Sequence, residues 1–166
     1  MSNVLLSLKI KNYGELKIEL YPEIAPNSVA NFLNYVEQGF YTGLIFHRVI
    51  KGFMIQGGGS NKKSKPIKGE FQANGFKNDL KHTRGVLSFA RTQDPNSATS
   101  QFFIMHKDSP HLDGQYAAFG KVIEGIEIVD KIASVRTNHY DQPYEDVVIE
   151  SFTVLENTAK INPVQY

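Results

Sequence analysis

The run Phe46-His47-Arg48-Val49-Ile50-Lys51-Gly52-Phe53-Met54-Ile55-Gln56-Gly57-Gly58-Gly59 reads as two short strands around a turn at Lys51-Gly52. Successive side chains of a strand point to opposite faces. Arg48 therefore shares a face with Ile50, and Met54 shares one with Gln56. A permanent cation set on an apolar face costs free energy unless something uses it. The run holds no carboxylate, no thiol and no metal-binding cluster. It offers a donor beside apolar surface, which suits chemistry that breaks no bond. Gly57 to Gly59 permit positive φ and a tight exit from the second strand. Gly52-x4-Gly57 has the spacing that opens a phosphate loop, but Gly58-Gly59 stand where Lys-Ser/Thr is required.

On the N-terminal side, Leu6, Leu8 and Ile10 alternate with Ser7 and Lys9, and Leu16, Ile18 and Leu20 with Lys17 and Glu19. With Asn12-Tyr13-Gly14 between them, the two runs predict a β-hairpin. Pro26 can open a helix. Val29, Phe32, Leu33 and Val36 then form an apolar stripe at helical spacing, and Gly39 supplies a stop. On the C-terminal side a second helix is expected from about 124 to 133, burying Ile126, Val129 and Ile132 or Ala133. Further strands are expected at roughly 44–50, 53–56, 86–90, 101–105, 117–122 and 146–155. The pattern is mostly β with two helices, and it contains no internal repeat or linker. It divides into one domain over 1–156 and a tail over 157–166, which Ile161 and Val164 could dock.

The 166 residues suffice for one domain with a sizeable core. Their 41% hydrophobic content is ordinary for a globular protein. A net charge of +1 exerts no global pull on nucleic acid or anionic membranes. Lys62, Lys63, Lys65 and Lys68 surround Pro66 in a basic loop without interleaved aromatics to stack bases, so it reads as solvated chain. There are no cysteines, which excludes disulfides, thiol catalysis and Cys-based zinc sites. The five histidines form no His-x-x-x-His pair, and no metal is expected. His47, beside Arg48, reads as structural. Residues 1–10 lack a basic n-region, and no run approaches the length of a membrane span. A soluble cytoplasmic protein is expected.

The opening run resembles the FHR-x-I-x-G-F-M-x-Q-G-G signature of the cyclophilins, the peptidyl-prolyl cis-trans isomerases. Gly85-Val86-Leu87-Ser88-Phe89-Ala90-Arg91 through Ser100-Gln101-Phe102-Phe103-Ile104 is similar to their second signature. His111-Leu112-Asp113-Gly114, with Phe119-Gly120-Lys121-Val122, is similar to their third. The blocks come in family order, and the resemblance spans about Val4 to Val154. It implies a closed eight-stranded antiparallel β-barrel capped by two α-helices, and an enzyme that needs no cofactor.

By the same resemblance Arg48 is the catalytic arginine and Gln56 the glutamine that positions it and the substrate backbone. Phe53, Met54, Phe103 and Leu112 form the floor and walls of a proline pocket. Gln101 is a second polar pocket residue. Ala90, Arg91 and Thr92 belong to a segment that binds substrate through main-chain groups. Arg91 departs from the commoner Asn, a change that implies altered preference near acidic substrates. His111 stands where many members carry Trp, and Tyr116 where many carry His. Both keep a ring with a polar tip. The implied partners are proline-containing peptides and folding protein clients, met by a monomer. Cyclosporin A, the cyclic peptide that inhibits many cyclophilins, is expected to bind weakly without the Trp. Two rival readings are a proline-peptide receptor whose turnover is incidental, and a barrel holding an apolar small molecule. Phe32, Leu33 and Ile104 leave the second little room.

Overall fold

The computed structural model describes residues 3–60 and 64–160. Lys62, Lys63, Ile161 and Val164 lie outside them. The elements follow in order β1 Val4–Ile10, β2 Gly14–Leu20, α1 Pro26–Glu37, β3 Arg48–Ile50, β4 Met54–Gly57, β5 Val86–Phe89, β6 Phe102–Met105, β7 Ala118–Glu124, α2 Ile126–Ala133 and β8 Ile149–Asn157. All eight strands join one antiparallel sheet in the order β3-β4-β6-β5-β7-β2-β1-β8. The end strands β3 and β8 do not pair with each other. The chain ahead of each is instead linked by an isolated bridge, Ile45 to Val148, and by backbone bonds such as Phe46 N–H to Val147 O at 3.0 Å. The expected closed barrel is thus a curled eight-stranded sheet with an irregular seam. The strand expected at 44–50 shortens to its last three residues for the same reason.

The concave side of the sheet is filled by large apolar side chains. Phe32 of α1 stands at the centre, with ring centroids of Tyr41, Phe89, Phe102, Phe119 and Phe152 between 5.0 and 6.1 Å away. Such pairs add specific geometry to the burial of area. Phe32, Leu33 and Ile104 are fully buried, so side chains occupy the space an internal ligand would need.

Pro26 opens α1 as expected, but Ala25 at the cap has no side-chain oxygen. The first turn of a helix leaves N–H groups unsatisfied. Here the buried Glu70 carboxylate takes them, accepting from Asn27 N–H at 3.2 Å and from Ser28 N–H at 2.6 Å and Oγ–H at 2.7 Å. An anion at a helix N-terminus is also favoured by the peptide dipoles. At the other end Gly39 has φ of 68°. Gly39 N–H meets Val36 O and Phe40 N–H meets Tyr35 O, the paired bonds of a left-handed helix stop. Helix α2 begins at Ile126, later than the sequence suggests, because Gly125 at its cap sits at φ 86°. A Cβ on Gly125 would come within 2.7 Å of Glu15 O.

Candidate active site

The convex side of β3, β4, β5 and β6 carries a second apolar cluster, separate from the interior. Met54, Val86, Phe103, Met105, Leu112 and Ala118 are its buried members. Register places the polar groups among them. Arg48 lies opposite Gln56, Ile50 opposite Met54, and Gln56 opposite Phe103. The face-sharing read from the sequence therefore holds across three strands.

Gln56 is almost buried. Its Oε1 accepts from Arg48 Nη1 at 3.3 Å and its Nε2 donates to Gln101 Oε1 at 2.9 Å. These two bonds set the orientation of the amide. The Arg48 guanidinium is exposed and has no carboxylate partner among the described residues, so most of its donors remain available to a ligand. Beside it opens a cavity of about 110 Å³, lined by Arg48, Phe53, Met54, Gln56, Ala90, Arg91, Phe103, Leu112 and Tyr116. A drug-sized molecule takes roughly 300–1,000 Å³; this space suits one small ring.

Three of the expected residues do not line that cavity. Gln101 acts from behind, through Gln56. His111 is exposed on a short 3-10 turn and stacks on Phe53 at 5.8 Å between centroids. It lines an adjoining groove with Thr92 and Gln93. The Ala90–Thr92 segment also differs from a free main-chain binder. Ala90 N–H is taken by Gln101 O and Thr92 N–H by Ser97 Oγ, both at 2.9 Å. The Ala90 carbonyl and Arg91 N–H have no hydrogen-bond partner among the described residues. The Arg91 side chain turns back and forms part of the cavity wall.

Two histidines escape a reading of the sequence. His82 is buried behind the pocket, with Phe103 stacked at 6.1 Å and Tyr116 edge-on at 6.5 Å. Asp113 Oδ1 receives both its N–H, at 2.6 Å, and its Nδ1, at 3.1 Å. Burial pushes its pKa down, against the opposing pull of Asp113. The neutral ring then donates from Nδ1 and accepts the Ser88 hydroxyl at Nε2, 2.9 Å away. Ser88, His82 and Asp113 follow the order of a nucleophilic triad, but Ser88 is fully buried and no substrate reaches it. The arrangement holds the rings of the pocket. His106 performs a similar task for the β3–β4 turn: its Nδ1 accepts from Gly52 N–H at 2.9 Å and its backbone N–H binds Phe53 O at 2.9 Å. Its Nε2 lies 3.1 Å from Asp130, which Arg84 grips with two bonds of 2.6 and 2.8 Å. The Arg84 pair holds the Asp130 carboxyl below its usual range. No sequence pattern marks these residues, because their partners are distant along the chain.

A family model described as cyclophilin type peptidyl-prolyl cis-trans isomerase/CLD matches residues 5–154. The chain is 48% identical over 163 residues to peptidyl-prolyl cis-trans isomerase B of Escherichia coli, covering 87% of this chain and 96% of that one. It is 47% identical over 176 residues to a peptidyl-prolyl cis-trans isomerase of Acinetobacter baylyi, covering 96% and 90%. Among solved structures, a Cryptosporidium parvum cyclophilin type peptidyl-prolyl cis-trans isomerase superposes with a TM-score of 0.83 at 32% identity, over 93% of this chain and 99% of that one. A second structure of that protein, in the presence of the dipeptide Ala-Pro, gives 0.82 at 33% identity, over 92% and 99%.

Proposed function

We propose, for a chain that belongs to the cyclophilin-type peptidyl-prolyl cis-trans isomerases, that Arg48 and the cavity beside it are where the Xaa–Pro bond is turned. The observation that carries this reading is the exposed guanidinium, without a carboxylate partner among the described residues, at the rim of a cavity sized for one small ring.

An amide resists rotation because its nitrogen lone pair is delocalised, with a barrier of about 18–20 kcal/mol. Twisting an Xaa–Pro bond localises that pair on the prolyl nitrogen and shifts charge at the carbonyl. A cation that donates there binds the twisted form better than either planar form, which is the requirement for catalysis. Each tenfold in rate needs about 1.4 kcal/mol, and a charge-assisted hydrogen bond contributes roughly 1.5–3 kcal/mol. Arginine suits the role because it stays charged and presents a rigid fork of donors. Phe103, Met54 and Leu112 take the proline ring. Gln101 orients Gln56, and Gln56 holds Arg48. The Ala90 carbonyl and Arg91 N–H hold the flanking peptide. No proton moves and no cofactor takes part. One chain supplies every group, so the site needs no second copy to act on proline-containing segments of folding clients.

The adjoining groove carries the exposed His111 where a cyclosporin-type cyclic peptide would seek an indole. That ligand binds weakly here. His111→Trp should tighten it about tenfold to a hundredfold, the affinity equivalent of part of an indole's contact area. Calorimetry showing low-nanomolar affinity with His111 in place would overturn this point.

NMR exchange spectroscopy on an Ala-Pro peptide tests the site directly. Substoichiometric protein should speed cis–trans exchange, and the peptide should shift resonances of Phe103, Leu112 and Tyr116. Arg48→Ala should remove most of the exchange. Normal exchange in that variant, or shifts confined to another surface, would refute the assignment.

A further inference from the structure

The cavity lined by Arg48 contains a second guanidinium, held in an unusual way. Arg91 lies between two aromatic faces, its Cζ 4.8 Å from the centroid of Phe71 and 4.6 Å from that of Tyr116. Nε and Nη2 both donate to Gln115 O, at 3.3 and 2.7 Å, and Nη1 donates to Thr92 O at 2.9 Å. A guanidinium has five N–H donors. Three are used, and each terminal nitrogen keeps one. All its partners are carbonyls, which do not neutralise it, and no carboxylate pairs with it among the described residues. The nearby acids are otherwise engaged. Asp94 Oδ1 accepts from Asn96 N–H within its own loop, Asp113 holds His82, and Glu70 caps α1. The cavity lining thus carries two cations and no anion.

A surface arginine normally loses much of an ion pair's worth to water and to its own freedom of movement. Arg91 has surrendered both. Two rings shed water from its faces, and three hydrogen bonds fix its plane before any ligand arrives. The remaining donors suit a carboxylate, the group a planar fork binds best. Asparagine at this position would carry no charge.

We propose that Arg91 is a specificity-determining residue of this enzyme, favouring substrates with an acidic side chain on a residue flanking the Xaa–Pro bond. The proposal rests on the site assignment made above.

The test is a peptide series in which one Glu, Gln or Lys is moved along the residues on either side of a single Xaa–Pro, with blocked termini. Exchange rates give kcat/KM for the parent protein, Arg91→Gln and Arg91→Lys. At one position Glu should exceed Lys by about threefold to tenfold at low salt, the effect of one partly exposed charge-assisted contact, and salt should shrink the gap. Arg91→Gln should bring the ratio near one. Arg91→Lys should retain part of it, since the charge stays while the stacked fork is lost. Each protein serves as its own reference, so a general loss of turnover leaves the ratio readable. Equal turnover of Glu and Lys peptides at every position, or a preference that survives Arg91→Gln, would overturn the proposal. Failure of the parent protein on the neutral Gln peptides would instead refute the site assignment.

Discussion

On β4, Ile55 enters the packed interior while its neighbours Met54 and Gln56 face the pocket. On β6, Phe102 and Ile104 go inward and Phe103 outward; on β5, Leu87 and Phe89 go inward and Ser88 outward. The same strands serve two surfaces built on different rules. The inner one is predominantly apolar, and its members are buried. The outer one mixes Met54, Phe103 and Leu112 with Arg48, Gln56 and the polar support of His82. Stability resides mainly in the first, because burial of apolar area is the principal driving force of folding. The proposed function belongs to the second, where polar groups kept near apolar surface can act on a ligand. The difference predicts that substitutions on the two faces should be separable.

The largest effect is expected inside. Phe32→Ala should lower stability by about 3–5 kcal/mol, the usual range for truncating a buried aromatic. Chemical denaturation of the two proteins measures it. A loss under about 1 kcal/mol would mean that the aromatic hub around Phe32 collapses to fill the gap.

Arg48→Lys probes the outer face. Turnover should fall about tenfold to a hundredfold, since an ammonium lacks the planar fork, while the melting temperature stays within a few degrees. A variant that keeps its turnover but melts much earlier would place Arg48 among the structural residues and erase the contrast.

Glu70→Gln falls between the faces, at the start of α1. It keeps the shape of the carboxylate but removes its charge from two N–H groups and a hydroxyl. A stability loss of about 1–3 kcal/mol is expected. Exchange on a proline peptide at a temperature where the variant is folded should be nearly normal. An unchanged denaturation midpoint would show that the anion is not needed at this helix end.

The smallest effects concern pH, and they again separate the two properties. Burial pushes the pKa of His82 and of His106 down. Folding therefore favours their neutral forms. That stability is complete above the unfolded value near 6.5 and is lost as pH falls through the folded values. The Asp130 carboxyl is held low by Arg84, so its contribution persists until more acidic conditions, below its ordinary value. Melting should be level from about pH 7 to 9 and should decline below about 6.5. Turnover should stay level between about pH 6.5 and 9, because the proposed rotation transfers no proton. Melting that improved on acidification would show that these rings sit protonated. A bell-shaped rate profile would point to acid–base chemistry instead.

Much of this protein was legible in its sequence. Alternation in 6–10 and 16–20 marked the first hairpin, and Pro26 and Gly39 marked the ends of α1. The fourteen residues from Phe46 to Gly59 placed Arg48 and Gln56 on faces that the sheet register then set opposite each other. These are local properties: a strand's period and a helix's caps depend only on neighbours in the chain. Apart from the start of α2, set by Gly125 at its cap, the failures were non-local. Nothing in the sequence joins Glu70 to Ser28, His82 to Asp113 and Ser88, His106 to Gly52, or Arg91 to Phe71 and Tyr116. Each pairing is made between segments that meet only after the sheet has curled. A hydrogen bond or a stacked ring depends on distance and direction in space, and chain order alone does not carry either.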